Sequence, residues 1–101
     1  MKTVADIPLP FKDTSQLFIA LGDPHRQRIL LSFEHGERLN ILQIVSASIL
    51  SRTAVTHHLK ILHNSGALVS EKVGKEVYFW INLAFIEERL SLVLQYIKAE
   101  C

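Results

Sequence analysis

The chain has 101 residues, 49% of them apolar and 21% charged, with a formal net charge of +1, which makes it one small domain and excludes a disordered one. With so little bulk charge, any affinity for nucleic acid must come from local placement. A single cysteine, Cys101, excludes an internal disulfide framework and fits a reducing compartment; with no secretion signal and no run of about 18 apolar residues, a cytoplasmic protein with no membrane partner is expected.

Residues 1–13 form a lead-in broken by Pro8 and Pro10. Thr14 or Ser15 can cap a first helix that runs through Leu21 and ends at Gly22. Asp23 followed by Pro24 is a strong helix start; this helix should pack Ile29, Leu30 and Phe33 inward and stop near Gly36. After Asn40, the spacing of Ile41, Ile44, Val45 and Ser48 gives a short helix with one inward stripe. A tight turn leads to Ser51, which caps a helix running to about Asn64, ended by Gly66. Val69 to Val73 and Glu76 to Ile81 alternate around Gly74 and Lys75, which predicts a hairpin. Asn82 caps a last helix from Leu83 to about Lys98. The fold expected is mainly α with a small β-hairpin. It is a single winged helix-turn-helix domain over 1–101, with about five helices and two antiparallel strands.

The helix after Ser51 carries the functional signal. Val55, Leu59 and Leu62 share one face, while Arg52, Thr53, Thr56, His57, Lys60, His63 and Asn64 lie opposite, with no carboxylate among them. A face that only meets water usually mixes the signs of its charges. A donor-rich face without negative charge suits the major groove of double-stranded DNA. Ser51, Arg52, Thr53, Thr56, His57 and Lys60 are the candidates for base edges and adjacent phosphates. Lys72 and Lys75 on the wing would reach flanking backbone or minor groove, diluted by Glu71 and Glu76.

The last helix, in residues 82–100, is too apolar for a helix docked on one side of a small domain. Leu83, Ile86, Leu90, Val93, Leu94 and Ile97 occupy one face, and Phe85, Leu92 and Tyr96 widen it past half the circumference. Either its own core surrounds it, or a second copy covers it. The expectation is a homodimer built on Ile86, Leu90, Val93, Leu94 and Ile97 together with Leu17, Phe18 and Leu21 of the first helix. A two-fold dimer would present two recognition helices about 34 Å apart, so the operator should be an inverted repeat.

Four pieces of the chain, in order, resemble the ArsR-type winged helix-turn-helix transcriptional regulators. They are Ala20 to Arg26 with Ile29 and Leu30; Gln43 to Leu50; Ser51 to Leu62 with its His-Leu-x-x-Leu ending; and Ser65 to Val69 followed by Gly74 to Phe79. One departure is Ile49, where the family often has glycine in the turn. The resemblance implies a dimeric, DNA-binding regulator, most simply a repressor. Many members bind transition metals through thiols or imidazoles, but here Asn40, Gln43, Phe85 and Tyr96 stand at those positions. The five histidines show no i, i+4 pairing; His58 reads as a packed, hydrogen-bonded histidine and His25 as a surface residue. The expectation is therefore a regulator with no metal and no cofactor at the usual sites, and with an unknown small-molecule effector, a partner protein or concentration alone as its control. A winged-helix protein-interaction module and a thiol-responsive regulator acting through Cys101 remain as alternatives. No nucleophile elbow, phosphate loop or carboxylate pair suggests an enzyme.

Overall fold

The computed structural model describes residues 1–101. A short 3-10 turn at Leu9–Phe11 precedes helices α1 (Ser15–Leu21) and α2 (Pro24–Leu31). A two-residue strand β1 (Leu39–Asn40) leads into α3 (Ile41–Ser46), then α4 (Arg52–Asn64). Strands β2 (Leu68–Val73) and β3 (Glu76–Ile81) form the hairpin, and α5 (Leu83–Glu100) closes the chain. The winged helix-turn-helix architecture is as expected, with five helices.

The helix starts follow from local chemistry. The Asp23 carboxylate accepts from the backbone N–H groups of His25 and Arg26, and Ser51 Oγ accepts from that of Ala54. Asn40 and Gln43 exchange side-chain and backbone bonds as a capping box at the start of α3. Gly66 follows α4 at φ 89°, a left-handed backbone that favours glycine, and a Cβ there would meet the Phe85 ring at 2.6 Å, so any other residue must also displace that ring. Gly74 takes φ 63° at the first of two turn positions between Val73 and Glu76, where a tight hairpin needs glycine.

Several details differ from the sequence reading. The sheet has three strands in the order β1-β3-β2, because Leu39 and Asn40 pair with Phe79 and Tyr78. Helix α2 stops at Leu31, five residues short of Gly36. Ser48 lies beyond α3, and its Oγ accepts from the Leu50 N–H, shaping the turn to α4. That turn closes without a positive φ at Ile49, so glycine is not required there; the Ile49 side chain is 85% exposed.

The core lies among α1 to α4 and the sheet: Leu17, Ala20, Ile29, Ile44, Val55, Leu59, Leu62, Ala67, Leu68 and Phe79. The terminal regions behave differently. The lead-in runs back along α5, with Lys12 O accepting from Arg89 Nη1 at 3.2 Å and Lys2 Nζ donating to Glu100 O at 2.8 Å. Between them, Phe11 meets Tyr96 edge to face at 5.7 Å. The molecule is elongated, 51 × 22 × 20 Å. No helix is long and apolar enough to cross a membrane.

Candidate DNA-binding interface

Helix α4 is held from beneath and open above. Val55, Leu59 and Leu62 are fully buried, while Arg52, Thr53, Thr56, His57 and Lys60 are all exposed. Ser51 is exposed as well, but its hydroxyl is engaged as the N-cap. Six expected contact residues therefore share the outer face or the leading end of one helix. No acidic side chain stands within α4, so the exposed Arg52 at its positive N-terminal end is not offset by a carboxylate of its own helix.

The wing extends this surface. Lys72 and Lys75 are exposed at its end. The acidic Glu71 does not act alone, since its carboxylate meets Arg38 Nη1 at 3.1 Å. The same guanidinium lies 3.9 Å from the centre of the Trp80 ring. Arg38 thereby ties the approach to β1 to the hairpin and offsets one of the two wing carboxylates. An exposed pair of this kind contributes at most about 1 kcal/mol, so it orients more than it stabilises. At the other end of α4, His63 Nε2 and Ser70 Oγ are 3.0 Å apart, joining that helix to β2. Neither link was legible in sequence, because each joins residues whose proximity depends on the folded hairpin.

The most constrained polar group lies behind α4. Arg26 is only 8% exposed. Its Nε and Nη2 donate to the carbonyls of Ala20 and Ile19 at 2.9 and 3.0 Å, satisfying the open end of α1. Its Nη1 lies 3.2 Å from His58 Nδ1. Arginine only donates, so Nδ1 is the acceptor and the imidazole proton sits on Nε2. His58 is thus the packed, hydrogen-bonded histidine expected. Burial holds its pKa below the ordinary histidine value, against the pull of Asp23 and with help from Arg26, His57 and His25. The Asp23 carboxyl is also held low, chiefly by the backbone N–H of Arg26.

The surface expected to bind a second copy needs correction. Leu17 is 0% exposed and belongs to the protomer's own core, because α1 packs that side against α4. Val93 is also buried within the protomer. Leu21 and Ile86 are half-buried against the core. Exposed apolar side chains remain at Phe18, Leu90, Leu94 and Ile97, joined by Ile19, Leu83 and Leu92. Ile19 is 65% exposed and Leu94 53%, high values for aliphatic side chains on helices. Elsewhere, no group of three His, Cys, Asp or Glu side chains comes together as a metal site. Asn40 and Gln43 bond each other in the capping box, and Cys101 is exposed at the end of α5.

A recognition helix exposed beside a β-hairpin, on a three-helix core, defines a winged helix-turn-helix. Residues 23–70, from the cap of α2 into the first wing strand, match the family model described as "Bacterial regulatory protein, arsR family", and that segment belongs to the ArsR family of transcriptional regulators. The transcriptional repressor SdpR of Bacillus subtilis is 24% identical over 84 residues, covering 83% of this chain and 92% of that protein. A transcriptional repressor SmtB homolog of Synechocystis is 32% identical over 65 residues; these are 64% of this chain but only 48% of that longer protein. The solved structure of an ArsR-like transcriptional regulator from Rhodococcus sp. RHA1 superposes with a TM-score of 0.78 at 27% identity, covering 89% of this chain and 83% of that one.

Proposed function

We propose that the chain is a transcriptional repressor that binds an inverted-repeat operator in double-stranded DNA as a homodimer. The observation that carries this reading is α4, whose aliphatic side is buried while Arg52, Thr53, Thr56, His57 and Lys60 stand free and unopposed by carboxylates. The names of the relatives support repression. The dimer rests on the exposed row Leu90, Leu94 and Ile97 of α5 with Phe18 and Ile19 of α1. In this reading Arg52 and Thr56 meet base edges, Lys60 meets phosphate, and Lys72 and Lys75 reach flanking backbone. Regulation does not run through metals at the usual family positions, because those positions carry Asn40, Gln43, Phe85 and Tyr96. The signal would be an unidentified effector, a partner or concentration.

Selection of duplexes from a random library, followed by fluorescence anisotropy on the winner, tests this reading. A recovered sequence with two-fold symmetry, bound with steep salt dependence, is the expected result. Failure to enrich any duplex, with no binding even at low salt, would put a protein-interaction role ahead.

A further inference from the structure

Behind the groove face, one buried guanidinium touches three elements that have no other polar connection at this depth. Arg26 on α2 closes the last carbonyls of α1 and reaches His58 on α4. His58 adjoins His57 in sequence, with their rings 5.6 Å apart, so its position bears directly on the exposed face. We propose that Arg26 and His58 are a positioning pair, which fixes how α4 is set against α1 and hence how the helix enters the groove. The inference rests on the DNA-binding reading. It adds that discrimination between sequences depends on a hydrogen bond that never touches DNA. Helix α1 also carries Phe18 and Ile19 of the surface assigned to the second copy, so the pair links the two surfaces on which dimeric recognition depends.

The bond has a built-in condition. His58 must be neutral to accept at Nδ1, since a protonated imidazole carries hydrogen on both nitrogens. Protonation would also set two cations in contact at 3.2 Å. The groups facing His58 are Asp23, which favours the cation, and Arg26, His25 and its neighbour His57, which oppose it. Helix α1 contributes no titratable side chain. Acid should therefore release α4 from α1 and blunt sequence discrimination.

The test measures affinity for a duplex selected by the parent protein and for an unselected duplex of equal length, from about pH 8 to about pH 4.5, extending below the ordinary histidine range because burial holds His58 low. The ratio of the two affinities reports discrimination. In the parent it should fall about tenfold across this range, as expected for one buried hydrogen bond to a charged group. In His58→Asn, whose side-chain oxygen can stand near the Nδ1 position and cannot protonate there, the ratio should hold constant. All other side chains are common to both proteins and cancel from the comparison. Arg26→Lys retains the charge but not the three-way donor geometry, so it should lose about tenfold in discrimination at the alkaline end. Circular dichroism melts establish which variants fold. Should Arg26→Lys fail to fold, the comparison of parent with His58→Asn decides alone. Identical pH curves for those two would overturn the positioning role, as would a folded Arg26→Lys with parental discrimination. If the parent binds neither duplex, the DNA-binding reading itself has failed and the pair's role goes with it.

Discussion

The helix-turn-helix half and the terminal arm of this molecule solve the burial problem in opposite ways. From α1 to β3 the chain closes on itself: Leu17, Ile44, Val55, Leu59, Leu62 and Leu68 are almost completely enclosed. Over α5 only Val93 is buried, although apolar residues dominate the helix; Phe85 and Ile86 at its start pack on the core, and the N-terminal lead-in runs along the rest. The radius of gyration, 15.8 Å, exceeds the roughly 13 Å of a compact domain of this size, as a projecting helix requires. The first half is largely enclosed, while α5, with Phe18 and Ile19 of α1, leaves apolar surface exposed. If that surface meets a second copy as proposed, exposed groove residues such as Arg52 and exposed α5 residues such as Leu90 should act separately, with Arg26 and His58 as the link between them.

The largest effects should fall on the enclosed half. Leu59→Ala removes a fully buried side chain beneath the recognition helix and should cost about 2–5 kcal/mol of stability, read from denaturant melts. Replacing Leu90 and Leu94 together with glutamate should instead leave the protomer folded. Sedimentation should then fall from about twice 11.5 kDa to the mass of one chain, because a charge buried between copies is costly. Val93 is unsuitable for this experiment, since it is buried within the protomer. A Leu90→Glu, Leu94→Glu variant that stays dimeric would erase the contrast between the halves.

The same contrast explains what could be read in advance. The enclosed half announces itself through local rules: Asp23 and Ser51 at helix starts, Gly66 and Gly74 where φ is positive, and Val55, Leu59 and Leu62 on one helical face. The candidate groove residues follow from that face, being its complement. The two-residue strand β1 is not legible in the sequence because so short a run carries no alternation, and only pairing with β3 defines it. The contact of Arg26 with His58 has no signal in the sequence because it spans 32 positions. Periodicity placed Leu17 and Val93 on the sticky face of their helices. It could not tell which sector of that face the protomer covers itself, and the lead-in's packing along α5 is a long-range fact with no local signal.

Arg52→Ala should come next in size. It should cost about 1–3 kcal/mol of operator affinity and relax preference at one position of each half-site, if its guanidinium pairs with guanine. Dimer mass and melting temperature should not move, since the residue is exposed at the start of α4. A loss of dimerisation with that substitution would show that recognition and assembly are not separable.

A smaller effect is expected at the cap of α2. The Asp23 carboxylate is stabilised in the folded state by the N–H of Arg26 above all, which lowers its pKa. Its contribution is thus present above the ordinary carboxylate range and is lost as pH falls through the lowered value. His58, also lowered, acts in a different window: its contribution is complete above the ordinary histidine value and declines as pH falls toward the lowered one. Asp23→Ala should therefore lower the melting temperature at neutral pH and converge on the parent in strong acid. Curves that stay parallel at every pH would show that the carboxylate's charge is not what α2 uses.

The smallest effect should be at Lys60, and it separates the kinds of contact within the groove face itself. Lys60 is exposed two turns along α4 from Arg52, where the helix leaves the deepest part of the groove in this reading. A lysine that meets phosphate adds affinity by releasing a condensed counterion, whatever the base sequence. Lys60→Ala should then weaken selected and unselected duplexes alike and reduce the salt slope by about one unit for each subunit engaged. Discrimination between the duplexes should stay unchanged, in contrast to the relaxed preference expected of Arg52→Ala. A Lys60→Ala variant that loses discrimination while keeping its salt slope would place Lys60 on a base edge. In that case α4 would lie deeper along the groove than assigned, and the division between reading and anchoring residues would have to move toward the wing.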